Sequence, residues 1–147
     1  GAKLSVEISK DIMAAMWEKF LLFAPAVGVG CVTRAPTGVW RTVPEAMELF
    51  EKSLLEVNAV ADARGINLTG DALDRVRDIV AKVPENASTS TQRDVLDGRP
   101  SELEFLCGSV VRLGKEAGVA TPVSNFFYSS LLPQEKRNRG EIEFPAF

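Results

Sequence analysis

The chain contains no histidine, so proton transfer within it falls to lysine, carboxylate, cysteine or its single tyrosine. Three positions combine residue type and surroundings in a way that could do chemistry. Lys19 lies in "MWEKFLLF", flanked by apolar residues along most of a helical pattern. It is either a snorkelling surface residue with its stem laid on apolar neighbours, or a desolvated lysine whose ammonium faces a cleft and donates a proton. Ser90 and Glu102 sit either side of a Gly-Arg-Pro turn in "STSTQRDVLDGRPSELEF", residues 88–105. Ser90 reads as the cap of a short helix over "TQRDVLD". Ser101 and Glu102 read as the start of the next helix, where the dipole favours a carboxylate. Residue type alone leaves the capping and the chemical readings of these positions open.

Much other chemistry is excluded. Without histidine there is no Ser-His-Asp hydrolysis and no His-ligated metal site. Asp94, Asp97 and Glu102 have no metal-ligand spacing, and no metal is expected. Cys31 and Cys107 lie far apart without a C-x-x-C pattern, which fits buried thiols in a cytoplasmic protein. "GVGCVT" at 28–33 lacks the third glycine of G-x-G-x-x-G and follows a helix, so it reads as a close helix approach and not a dinucleotide site. A net charge of −3 provides no general attraction to nucleic acid or anionic membrane. No apolar run reaches the ~18 residues expected of a membrane span, since "FLLFAPAVGVGCV" is broken by Pro25, Gly28 and Gly30. The mixed polar start has no signal-peptide pattern, and Gly1 in place of an initiator Met leads us to expect a piece of a longer protein.

The elements that must position these residues are helices. Ile12, Met16, Phe20 and Phe23 recur at helical spacing from Asp11 to Ala24, with Asp11 expected at the N-terminus. Pro25, Gly28 and Gly30 are expected to kink or interrupt this helix beyond Ala24. "RAPTGVWR" is a turn or short helix. Pro44 opens a long helix to about Ala63 with Gly65 at its C-cap, and a second amphipathic helix runs from Asp71 to about Val83, stopped before Pro84. Ser101 caps a helix to Ala117. Thr121, with Pro122 behind it, caps another to about Arg139, which Pro133 can bend. Only "EIEF" near the end alternates like a strand. The fold class expected is all-α.

Taken in order, "DIMAAMWEKF" and "STSTQRDVLDGRPSELEFLCGSVVRLGKEAGVATPVSNFFYSSLL" resemble the C-terminal domain of ketopantoate reductase (2-dehydropantoate 2-reductase). The shared features are an Asp-Ile and Trp-x-Lys helix, a later serine, then D-x-x-x-G-R-x-[ST]-E, G-x-V-V-R-x-G and G-V-x-T-P. They cover about Asp11 to Leu132. The resemblance implies a helical bundle like the 6-phosphogluconate dehydrogenase C-terminal domain, here without its N-terminal Rossmann domain, with residues 1–10 as linker and 11–147 as the domain. It implies an oxidoreductase of pantothenate biosynthesis that uses NADPH, bound mainly by the absent domain. Its partners would be a small 2-keto acid and the chain's own Rossmann domain, with a homodimer left open and neither nucleic acid nor membrane involved.

By the same resemblance Lys19 matches the catalytic lysine, Glu102 the acidic residue of the site, and Ser90 the substrate-binding serine. The family usually has asparagine one and two helical turns after the lysine, at positions that are Phe23 and Val27 here, and often one where Cys107 stands. Phe23 and Val27 are thus expected beside the substrate, weakening recognition of a polar keto acid such as ketopantoate. A competing expectation is a non-catalytic helical dimerisation or interaction domain of the same fold, which the apolar Phe23, Val27 and "NFFYSS" would suit.

Overall fold

The computed structural model describes residues 2–147, with side chains from Ile12 onward, and is all-α. In chain order the elements are α1 (Ala2–Thr33), α2 (Thr37–Trp40), α3 (Pro44–Ala63), α4 (Ala72–Lys82), α5 (Ser90–Leu96), a π-helical turn (Glu104–Gly108), α6 (Ser109–Ala117) and α7 (Pro122–Asn138). The C-terminal "EIEF" forms no strand. The central helix is α1, packed against α2, α3, α4, α5, the π turn and α7.

Two faces of α1 have different fates. Trp17, Leu21, Ala24, Val27 and Cys31 enter the core. The Ile12–Met16–Phe20–Phe23 face, which periodicity marks as an apolar packing face, is largely open: Ile12, Met16 and Phe23 are exposed. The helix begins well before Asp11, whose side chain lies outside the described residues. Nor is it interrupted at Pro25. Pro25 offers no N–H to the Leu21 carbonyl, but residues 24 to 31 are all buried, and packing on every side outweighs the one missing bond.

The glycines beyond Pro25 serve close approach. A Cβ on Gly28 would stand 2.2 Å from the Phe127 ring, and one on Gly30 would stand 2.7 Å from the Gln92 side-chain oxygen. Continuity also makes Ile12–Thr33 long and apolar enough to cross a membrane by length and composition, contrary to the expectation from its Pro and Gly residues. Here that stretch forms the centre of the bundle.

The local signals behave unevenly. Pro44 at the first turn and Gly65, in the left-handed region at φ +73°, bound α3 as expected. Thr121 occupies the N-cap position of α7 without capping it. Glu56 from α3 does so, accepting hydrogen bonds from the Val123 and Ser124 amides at 2.8 Å each. Ser101 does not open one continuous helix to Ala117 either. Its hydroxyl accepts from the Leu103 amide at 3.2 Å, and the chain then winds through the π turn before α6.

Candidate active site

Lys19, Ser90 and Glu102 line one open cleft of about 340 Å³, together with Met16, Phe20, Phe23, Val27, Thr89, Thr91 and Leu106. The three polar residues come from three separate elements, each fixed by its own anchor.

Lys19 is carried by α1 between the buried Trp17 and Leu21, on the side turned away from the core. Trp17 meets Phe20 edge to face, ring centres 5.2 Å apart, which holds this part of the helix surface in place. Lys19 forms no ion pair with a described residue, although its neighbour Glu18 is engaged by Arg75 at 2.6 Å.

Ser90 is the first residue of α5, not its cap. That role belongs to Thr89, whose Oγ accepts from the Gln92 amide at 3.0 Å. The Ser90 hydroxyl is therefore released from capping, and it makes no hydrogen bond to a described residue. Gln92 anchors the helix: almost fully buried, it donates through Nε2 to the carbonyls of Gly30, at 3.0 Å, and Ala35, at 2.8 Å. The start of α5 is thereby tied to the end of α1.

Glu102 lies ahead of the π turn and not within a first helical turn. Its neighbour Ser101 is buried and held by Glu135: the Ser101 amide donates at 2.9 Å and its hydroxyl at 2.7 Å to the two carboxylate oxygens. With Ser101 drawn inward, Glu102 faces out to the cleft. The π turn is fixed from its other side, where Glu104 accepts from the Tyr128 hydroxyl at 2.7 Å and pairs with Arg112. Burial, reinforced by the bond to Glu104, pushes Tyr128 up to about 12. Burial likewise pushes Cys31 and Cys107 up to about 12, with the charge of Glu135 adding to the effect at Cys31. None of these three groups lines the cleft, whose ionisable side chains are Lys19 and Glu102.

Phe23 and Val27 also reach the cleft, in different ways. Phe23 is 43% exposed and forms wall, whereas Val27 is wholly buried and lies beneath the floor. Met16, Phe20 and Leu106 line the same cavity but were not legible as site residues, because helical apolar spacing reads first as core. The space beside Gly28 and Gly30 is filled by Phe127 and Gln92, so these glycines serve helix packing.

Fold and cleft together define an all-helical domain with Lys19, Ser90 and Glu102 at one open cleft. The sequence profile of the family described as "Ketopantoate reductase PanE/ApbA C terminal" matches residues 11–135, and the chain belongs to that family. Among curated relatives, the 2-dehydropantoate 2-reductase of Pyrobaculum aerophilum is 30% identical over 88% of this chain and 46% of its own length. That of Vibrio cholerae is 31% identical over 86% of this chain and 42% of its own length. The chain thus spans somewhat under half the length of these relatives. A dimeric ketopantoate reductase from Staphylococcus aureus superimposes with a TM-score of 0.80 at 26% identity, covering 86% of this chain and 44% of that one. A D-mandelate dehydrogenase shares the fold, with a TM-score of 0.74 at 18% identity over 86% of this chain and 41% of that one.

Proposed function

We propose that this chain is the substrate-binding and proton-donating half of an NADPH-dependent 2-keto acid reductase, with residues 1–10 as the junction to a Rossmann domain and 11–147 as the catalytic helical domain. The observation that carries the proposal is the meeting of Lys19, Ser90 and Glu102, from three separately anchored elements, at one open cleft. Independent surface or capping residues have no reason to converge.

A dinucleotide bound by a Rossmann domain would supply hydride chemistry at the ketone carbon. Negative charge then develops on the ketone oxygen. Lys19 Nζ stabilises that charge and transfers a proton to it, giving the 2-hydroxy acid. Ser90 Oγ donates to the substrate carboxylate in the ground and transition states alike. Glu102 orients the Lys19 ammonium, or accepts from the new hydroxyl. Closing the second domain over the cleft excludes water and strengthens each of these interactions.

The test is Lys19→Ala in the two-domain protein. The expected result is a kcat lower by roughly 10²–10⁴-fold with a much smaller change in KM. An unchanged kcat would sink the catalytic assignment. The interaction-domain reading draws on one observation: Met16 and Phe105, 59% and 73% exposed, flank an apolar groove with Trp17, Phe20 and Leu113. It would gain if the two-domain protein reduced no keto acid and Phe105→Ser converted an oligomer to monomer in sedimentation velocity.

A further inference from the structure

We propose that the preferred substrate is a 2-keto acid with an apolar side chain lacking a hydroxyl, and that Phe23 sets this preference. The inference rests on the reductase reading above and narrows it.

The donors and acceptors on this wall of the cleft are few. Among its five polar residues, Thr89 spends its hydroxyl oxygen on capping α5, and Thr91 is 2% exposed. Lys19, Ser90 and Glu102 remain. A 2-keto acid brings three oxygens together at one end, a ketone and a carboxylate, and these engage the ammonium and the hydroxyl. Glu102, an acceptor when ionised, is engaged by Lys19 or by the hydroxyl formed in the reaction. What this wall keeps for a hydroxyl farther along the substrate is the Thr89 O–H and whatever lone pairs of Glu102 stay unused, both at the polar end of the cleft.

The remaining lining is thioether, aromatic and aliphatic: Met16, Phe20, Phe23, Val27 and Leu106. A methyl or ring placed there gains burial, whereas a hydroxyl placed there loses its water without a new partner. Phe23 has a further role. It lines the main cleft and two neighbouring ones of about 300 Å³ each, one running toward Arg75 and Val76, the other toward Val80 and Arg93. Its half-exposed ring is the one side chain common to all three, so its size and polarity bear on the space available in each.

The experiment uses the two-domain protein with NADPH and a matched pair, ketopantoate and trimethylpyruvate, which differ by a single hydroxyl. The expected result is a higher kcat/KM for trimethylpyruvate, on the order of tenfold, since an apolar pocket disfavours an added hydroxyl only modestly. A kcat/KM for ketopantoate equal to or above that for trimethylpyruvate overturns the proposal. Phe23→Asn, at a position exposed enough to accept an amide, should swing the ratio toward ketopantoate by roughly tenfold. An unchanged ratio in a variant that still melts cooperatively removes Phe23 as the determinant. The failure of the broader reading looks different: neither acid, nor phenylpyruvate or 4-methyl-2-oxopentanoate, is reduced at all, and this inference falls with it.

Discussion

Two polar clusters in this domain are built from the same residue types, a serine, a glutamate and a cation, and they meet at adjacent positions, Ser101 and Glu102. In the first cluster, Ser101, Glu135 and Arg139 satisfy one another. Glu135 is 4% exposed and takes both donors of Ser101, while Arg139 donates to Glu135 at 2.8 Å and to the Ser101 carbonyl at 2.8 Å. In the second cluster, Lys19, Ser90 and Glu102 are exposed, and no described residue bonds or pairs with their side chains. The saturated cluster tethers the start of the π turn to α7. The unsaturated one is available to a ligand. Satisfaction of hydrogen-bonding capacity, more than residue type, separates the cluster that holds the fold from the one left open to bind.

The comparison can be broken most directly from the structural side. Glu135→Ala strands the Ser101 amide and hydroxyl in the interior and should cost about 2–3 kcal/mol, mostly as unsatisfied donors, because Arg139 is 40% exposed and its ion pair is screened. Urea unfolding measures this. A change below about 0.5 kcal/mol would put the cluster on a par with ordinary surface contacts.

A finer test divides neighbours. Thr89→Ala removes the α5 cap and should cost about 1 kcal/mol, whereas Ser90→Ala should leave stability nearly unchanged and raise KM for the keto acid in the two-domain protein. If Ser90→Ala is the more destabilising of the two, the capping assignment is reversed and the hydroxyl is not free for substrate.

The thiols give the smallest effect. With Cys31 and Cys107 raised to about 12 by burial, the native domain should resist an aromatic disulfide reagent at pH 8 and react fully once unfolded. The folded thiols hold protons that the unfolded chain releases near 9, so their contribution to stability is present below about pH 9 and is lost as pH rises toward 12. Rapid reaction of the native domain at pH 8 would contradict this.

What was legible in the sequence divides along the same lines. The bounds of α3 follow from Pro44 and Gly65 because both signals act on the residues beside them. The choice of Thr89 over Ser90 as cap was not legible, since four consecutive hydroxyl residues satisfy the same rule and only the Gln92 anchor fixes the register. Capping of α7 by Glu56 depends on a partner far away in sequence. Pro25 misleads because its local cost is real but smaller than the packing around it. Periodicity found the Met16–Phe20–Phe23 face and assigned it to the core, since spacing does not tell which apolar face meets protein and which meets a cleft. The ordered family motifs, and not periodicity, pointed to Lys19, Ser90 and Glu102 as a set.

The central claim is that the cleft works through the ammonium of Lys19, and chemical replacement of that group tests it. Lys19→Cys in the two-domain protein should lower kcat by roughly 10²–10⁴-fold. Alkylation with 2-bromoethylamine then rebuilds an ammonium of nearly the same reach, and the buried Cys31 and Cys107 are shielded from the reagent. The account predicts that activity returns to within about tenfold of the parent enzyme. Full activity in Lys19→Cys before alkylation, or none after alkylation is shown complete by mass, would contradict it.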